Sequence, residues 1–407
     1  MTLGKVATLT SFRKVVNFNS IYSNCLSIIV SLLLFVVKGN WLDVPLNATI
    51  GGWDSKISNW VNTVWLTSTT VLMVGNNAAT SSAVIKSTDG GNSWVGPTLT
   101  GTISTKGLVD ISTTSHTSGM ITTYLTIAIG CAGEIYVSTD SGSTWANTAT
   151  ISNFIGSAIA VGSNGNAFAI GQTNEQYGVI FTSNTTAAFS GTWGMSLYIV
   201  KYLSPTAIAS VATIDGVNVY AVMGSGSILY QSTDAGSSWS AILTNSAYAF
   251  SCVSLVYSSA TWTVMVTATA KNLPNTNGVF VGSAFTGIPT LSSFIQIGSL
   301  SGLSFRPHGL SMIDDKNAFL VLCNTGSPLA CFIYRTANAG VTWTLDYTST
   351  PSPLYSISMQ SASIGVAGSN SLNVFVRLAG LFTFCHHSTS TTKKLLTNFS
   401  LLLFYVS

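Results

Sequence analysis

The octet STDGGNSW at Ser87–Trp94 returns as STDSGSTW at Ser138–Trp145 and as STDAGSSW at Ser232–Trp239, and a relaxed copy, TANAGVTW, spans Thr336–Trp343. Self-similarity with a period of roughly 40 to 50 residues marks a propeller or solenoid, because each unit can bury its apolar faces only against its neighbours. The first two octets lie one period apart and the later gaps are each close to two, so a decayed copy is expected midway in both. GVIFTSN at Gly178–Asn184, followed by GTW at Gly191–Trp193, fills the first gap. GVFVGSAFTG at Gly278–Gly287 fills the second, keeping the strand and losing the octet.

Each octet follows a short apolar strand (AVIK, EIYV, ILYQ, FIYR), itself preceded by another such as VLMVG, TIAIG, VYAVMG or FLVLC. A seventh hairpin, SIGVAGSNSLNVFV, runs from Ser363 to Val376 without an octet. Short β-branched runs broken by Gly, Asn, Ser and Asp describe antiparallel hairpins. GLVDIS, SAIAVG, CVSLVY, GLSMID and LYSISM precede them and supply inner strands, giving four strands per unit. The predicted fold is all-β: a single seven-bladed β-propeller with four-stranded antiparallel blades over residues 41–380, six or eight blades being the neighbouring solutions. Only 7% of residues are charged, which suits a closed ring with few edges to guard.

Within the octet, Asp89, Asp140 and Asp234 each stand two positions before a glycine (Gly91, Gly142, Gly236). At that spacing a carboxylate accepts hydrogen bonds from turn amides while the glycine takes a positive φ. Ser87, Ser138, Ser232 and Thr336 offer a further local bond, and Trp94, Trp145, Trp239 and Trp343 supply large apolar bodies to bury between units. In the fourth copy Asn338 replaces the aspartate before Gly340. An amide accepts the same turn bonds but cannot act as a general acid, so the aspartates are read as structural.

These octets resemble the Asp-box, or BNR repeat, of sialidases, sortilin-type receptors, some endoglucanases and the photosystem II assembly and stability factor family. The resemblance spans about Ala48–Arg377. It is strongest to the assembly-factor family, through LVDISTTSHTSGMITTYLTIAIGCAGEIYVSTDSGSTW. That family implies a lumenal or periplasmic seven-bladed propeller without enzymatic activity that binds membrane-protein intermediates through a basic, arginine-lined surface. Sialidase chemistry implies an arginine triad, a Tyr nucleophile assisted by Glu and an Asp acid/base. The repeat region holds only Arg306, Arg335 and Arg377, with Glu134 and Glu175. Arg335 directly precedes an octet and Glu134 sits at a hairpin turn, so the set does not assemble. A carbohydrate-binding or glycoside-hydrolase propeller using Asp110, Asp215, Asp314 or Asp315 stays as the alternative, although Asp215 reads more simply as a turn and IDDKN at Ile313–Asn317 as a polar loop between strands.

If a ligand face exists, Arg306 and His308 are its candidates, placed on a loop before the strand GLSMID. His116 reads as part of a Ser/Thr-rich loop, and Trp193, Trp262 and Tyr355 as blade core. Basic residues exceed acidic ones by three without forming a patch, which argues against nucleic acid. No CxxC pair or spaced ligand set occurs, so no metal or cofactor is expected. Cys323 and Cys331 flank NTGSPLA and are expected to face each other across two strands, as a disulfide or as two buried thiols. The expected partner is a protein, including a membrane protein, or a glycan, bound by a monomer.

Residues 1–40 carry Lys5, Arg13 and Lys14 ahead of the apolar run CLSIIVSLLLFVV. This is the layout of a signal peptide or signal anchor, short for a span of about 20 residues, with an organelle signal also open. Residues 381–407 have no repeat and end in LLTNFSLLLFYVS, read as a membrane-associated, GPI-type or disordered tail. Together with the sequons at Asn47 and Asn184, these ends predict the secretory route, to an extracellular or lumenal site.

Overall fold

The computed structural model describes residues 41–46, 59–77, 81–96, 98–100, 107–118, 120–175, 177–183, 193–201, 209–223, 227–271, 276–284, 295–301, 305–324, 330–349, 352–369 and 373–377. The expected N-terminal signal, the C-terminal tail and both sequons lie outside the described residues. Every described element is a strand, and the strands form seven sheets.

After β1 (Trp41–Pro45), the first blade is β2 (Asn59–Trp65), β3 (Val71–Asn77) and β4 (Ser81–Ser87). The short β5 (Thr98–Thr100) leads to the second: β6 (Leu108–Ser118), β7 (Ile121–Gly130), β8 (Glu134–Ser138) and β9 (Thr144–Thr150). The third is β10 (Phe154–Val161), β11 (Ala167–Thr173), β12 (Tyr177–Ser183) and β13 (Gly194–Lys201). The fourth is β14 (Ala209–Thr213), β15 (Val219–Met223), β16 (Ile228–Ser232) and β17 (Ser240–Thr244). The fifth is β18 (Tyr248–Ser258), β19 (Thr261–Ala270), β20 (Thr276–Ala284) and β21 (Ile295–Ser301). The sixth is β22 (Phe305–Met312), β23 (Ala318–Asn324), β24 (Cys331–Thr336) and β25 (Thr344–Ser349), and the seventh is β26 (Leu354–Ser361), β27 (Ile364–Ser369) and β28 (Asn373–Arg377).

Inside each blade the strands pair antiparallel in chain order, and each inner strand packs against the next around the ring until β26 meets β2. The seven-bladed all-β propeller read from the repeat is therefore the fold. Its core is seven interblade layers rather than one centre. Val71 and Met73 face the seventh blade, with Val366 and Val376. Leu72 and Val74, one residue out of phase, face the second, with Ala128 and Trp145. Side chains alternate across a strand, and here both faces are covered, so the second strand of each blade reads as an unbroken apolar run. That is why VLMV, AFAI, VYAV and FLVL are so uniform, and why few charges fit.

The repeat does not announce the closure. β1 pairs antiparallel with β28, Trp41 opposite Arg377, so the chain's leading strand completes its last blade. The seam is fixed electrostatically. Asp346, on β25 of the sixth blade, accepts a hydrogen bond from the Trp41 indole at 2.8 Å and forms an ion pair with the Arg377 guanidinium. Arg377 also lies over the Phe319 ring at 5.0 Å. Burial pulls its pKa below the usual arginine value while Asp346 offsets part of that pull. Cys323 and Cys331 stand opposite one another in β23 and β24, in the same layer as Trp41 and Phe319, and their sulfurs are bonded.

The first two blades depart from the four-strand rule. Beyond the single bridge Lys86↔Val95, β4 gains no fourth strand among the described residues. β5 instead adds in parallel to β9, making the second sheet five-stranded. Gly96 and Pro97 follow the bridge directly, and a proline lacks the N–H that a continuing ladder would need. Two inner strands, β2 and β14, also escape the sequence reading.

Asp346→Ala removes the carboxylate paired with a buried guanidinium at the seam. It should lower the urea-unfolding free energy by about 3–5 kcal/mol, whereas the paired change Asp346→Leu with Arg377→Met should recover most of that loss.

Candidate functional site

Four residues from each inner strand, from Val61–Val64 in β2 to Tyr355–Ser358 in β26, line a central channel of about 460 Å³. An inner strand pairs only on its outward side, so its other edge would present bare amides to this channel. The chain answers with side chains from the preceding blade. The Ile159 amide donates to Asp110 Oδ2 at 2.7 Å and the Val161 amide to Ser112 Oγ at 3.1 Å. Val253, Met312 and Met359 donate likewise to Ser210, Ser254 and Ser311, at 3.2, 3.3 and 3.0 Å. The constant offset from Asp110/Ile159 to Ser112/Val161 means that the inner strands run parallel around the ring. First-to-second and third-to-fourth strand turns, octets included, therefore share one face.

Among the described residues that line the channel, Asp110 is the one carboxylate. Besides Ile159 it accepts from its neighbour's amide, Ile111 N, at 2.8 Å and from the Asn62 side chain of the first blade, so it ties three blades together. Burial pushes its carboxyl up to about 7 against the pull of those three donors.

Arg306 and His308 lie in β22, not on a loop before it. Pro307 sits at a register shift between Pro307 and Gly309, on a strand whose inner edge needs no ladder N–H, so the strand runs through it. Arg306 stands opposite Cys323, and its side chain lies outside the described ones. His308 does line the channel, beside Tyr355 at 6.2 Å between ring centroids. Tyr355 is thus a wall residue rather than blade core. The other two arginines meet elsewhere: Arg335 Nε is 3.6 Å from Asp346, the carboxylate that holds Arg377, at the junction of the sixth and seventh blades. The described arginine side chains therefore form no triad on the channel.

The octets are closed hydrogen-bond circuits. Ser138 Oγ donates to Asp140 Oδ1 and accepts from Gly142 N, both at 2.9 Å, while Asp140 accepts the Thr144 amide at 2.8 Å and its hydroxyl at 2.6 Å. Ser87/Asp89/Ser93 and Ser232/Asp234/Ser238 repeat it. At Asp140 partial burial raises the pKa, but the bonds from Thr144, Ser138 and Ser143 outweigh it and hold the group below the usual carboxylate range. Asn338 keeps the circuit by reversing one bond: its Nδ2 donates to Thr342 Oγ1 at 2.8 Å, while Oδ1 still accepts the Thr342 amide at 2.9 Å. The residue after the aspartate, or after Asn338, also has a positive φ (Ser141 58°, Ala235 57°, Ala339 56°), which the spacing alone does not reveal. The glycine that follows packs onto the previous blade: a Cβ on Gly142 would lie 2.6 Å from Leu72. The tryptophans fill the same joints, Trp145 against the first blade and Trp343 against the fifth.

No protein-family model matches the chain, and no curated protein matches it by sequence. Solved structures do. YCF48 from Cyanidioschyzon merolae aligns with a TM-score of 0.57 at 16% identity over 83% of this chain and 98% of that one. A structure described as YCF48 bound to D1 peptide aligns with a TM-score of 0.57 at 15% identity, over 84% of this chain and 97% of that one. The GH74 enzyme of Niastella koreensis aligns with a TM-score of 0.53 at 16% identity, over 81% of this chain, which spans 53% of that enzyme. At these identities the likeness speaks for the fold.

Two measurements probe this architecture. Ser138→Ala empties a buried hydroxyl that both donates and accepts, and should cost about 1–3 kcal/mol in thermal or urea unfolding; Asp140→Asn, imitating the fourth octet, should cost much less. For Asp110, the folded pKa near 7 lies above the ordinary 3.8, so the folded state holds the extra proton between those values. Its stabilising contribution is complete below about 4, declines as pH rises and is lost above about 7. The difference in Tm between wild type and Asp110→Asn should therefore shift against the wild type from pH 4 to pH 7; a difference that does not change with pH would show that Asp110 does not titrate in that window.

Proposed function

We propose that this chain is a non-catalytic Asp-box propeller that binds a protein partner and serves as an assembly scaffold for a membrane protein. It would work on the secretory route, in a lumen or outside the cell. The observation that carries the reading is where the acidic side chains are committed. Asp89, Asp140 and Asp234 close octet circuits, and Asp215 and Asp314 tie turns through the Asn218 and Asn317 amides. Asp110 caps strand edges and Asp346 holds the seam. Carboxylates held below their usual range by such donors, as Asp89, Asp140, Asp234 and Asp314 are, make poor acids and bases near neutral pH. The fold likeness to YCF48, one of whose structures is described as bound to D1 peptide, supports a peptide or protein ligand for a ring of this size. The GH74 likeness supports the glycosidase alternative less, since this chain spans only part of that enzyme.

The test is to express the tagged full-length chain in its native membranes, cross-link, and identify the partner, while assaying the same preparation on a glycan array and on a fluorogenic sialoside. A defined membrane-protein partner, recovered without glycan binding or sialoside turnover, is expected. Turnover that is lost in Asp110→Asn or His308→Ala would overturn the scaffold reading in favour of a carbohydrate-active propeller.

A further inference from the structure

Two inner hairpins outgrow the ring. The channel-lining quartets end at Ser112 in β6 and Ser254 in β18, yet β6 runs on to Ser118 and β18 to Ser258, while the other five inner strands stop within three residues of that level. Six further residues of β6, at about 3.3 Å each, lift its hairpin about 20 Å beyond the lining on the octet face. β8 joins β7 only from Thr126 to Ile129. Thr113–Ser118 and Ile121–Leu125 are therefore a two-stranded ribbon, and the outer edge of Thr113–Ser118 pairs with no described strand. His116, expected in a loop, belongs to this ribbon.

An isolated two-stranded ribbon is marginal in water, and natural edges are usually blunted by charge, proline or cover. From Ile111 to Gly133 the sequence contains no Asp, Glu, Lys, Arg or Pro. Ser115, Thr117 and Met120 are exposed, so uncharged side chains flank that edge and its turn. The same blade already takes an added strand on its opposite side, where β5 lies along β9. We propose that the β6–β7 ribbon is a strand-addition site that takes an extended, uncharged, β-branched segment of the protein partner. The identity of that partner rests on the scaffold reading above; the pairing mode does not. The ribbon itself offers no side chain to pair with a charge on the incoming strand. A six-residue edge also buries far less than the roughly 1,200 Å² of a stable dimer, which favours a peptide strand over a second copy of the chain.

The full-length chain is titrated against a fluorescein-labelled Thr-Val-Thr-Val-Thr-Val-Thr peptide and against the same peptide with a central proline, with anisotropy as the readout. The variant Ser115→Lys with Thr117→Lys places charges on exposed ribbon positions and should leave Tm within a few degrees, which confirms that it folds. Saturable binding of the Thr-Val peptide is expected, weakened at least tenfold by the proline or by the lysine variant. Equal binding in either control overturns the site, as does a concentration-dependent dimer that the lysines abolish, because the occupant would then be a second copy. If the wild type captures a membrane protein and the lysine variant captures it equally, strand addition fails while the scaffold reading stands. If the wild type captures none yet binds the peptide, the scaffold reading fails and the strand site stands.

Discussion

A sheet with both faces buried and one edge turned toward solvent has one unsolved problem, the row of amides on that edge. In this ring every inner strand has it, and the answer recurs. A side-chain oxygen from one blade takes an amide of the next, as Ser112 does for Val161 and Ser311 for Met359. These bonds set the height at which neighbouring blades meet, and the apolar layers follow from that alignment. Asp110 performs this task with a carboxylate, beside the hydroxyl of Ser112, and it reaches both neighbouring blades. A serine there could take the Ile159 amide, but its single oxygen would not also reach Asn62 and the Ile111 amide.

The octets solve a second problem, that of joining strands at the wide outer part of a blade without exposing turn amides. The solution uses serine and threonine hydroxyls rather than cations, which is how a chain with 7% charged residues closes four such turns. The circuit survives Asn338 because the Thr342 hydroxyl can donate or accept. A strictly acid–base role would not survive that change. The same logic makes the third octet tolerant, since Trp239 bonds the Ser196 hydroxyl at 2.8 Å instead of a glycine carbonyl in its own turn.

Much of the ring was legible because its physics is local and repeated. The octet, its spacing and the uniform second strands together yield seven blades. What stayed hidden depends on contacts far apart in sequence. Trp41 lies 305 residues from Asp346, and no periodic signal connects a leading strand to the last blade. The capping serines sit in short runs such as VDIS and VSLV, where a polar residue looks like a surface position until the next blade is placed beside it. His116 and its neighbours read as a loop because Ser and Thr dominate them, yet alternating hydroxyls can line a ribbon as well as a turn. His308 lines the channel, but Pro307 suggested a loop where an inner edge strand tolerates proline.

The two faces of the ring are not equivalent, and the difference bears on what can dock there. Exposed large apolar residues gather on the octet face: Met120, Ile214, Val217, Tyr257 and Val341. Ile155, at the start of β10, lies toward the other face. The same octet face carries Asp89, Asp140, Asp234 and Asp314, whose hydrogen bonds hold them below the usual carboxylate range and so keep them ionised. Apolar tips among fixed negative charges suit a folded or extended protein segment better than an anionic lipid surface, which those carboxylates would repel. The octets thus shape recognition without touching chemistry: by holding negative charge in rigid turns around the projecting hairpins, they leave the uncharged ribbon of the second blade as the part of that face where an incoming backbone meets least electrostatic opposition.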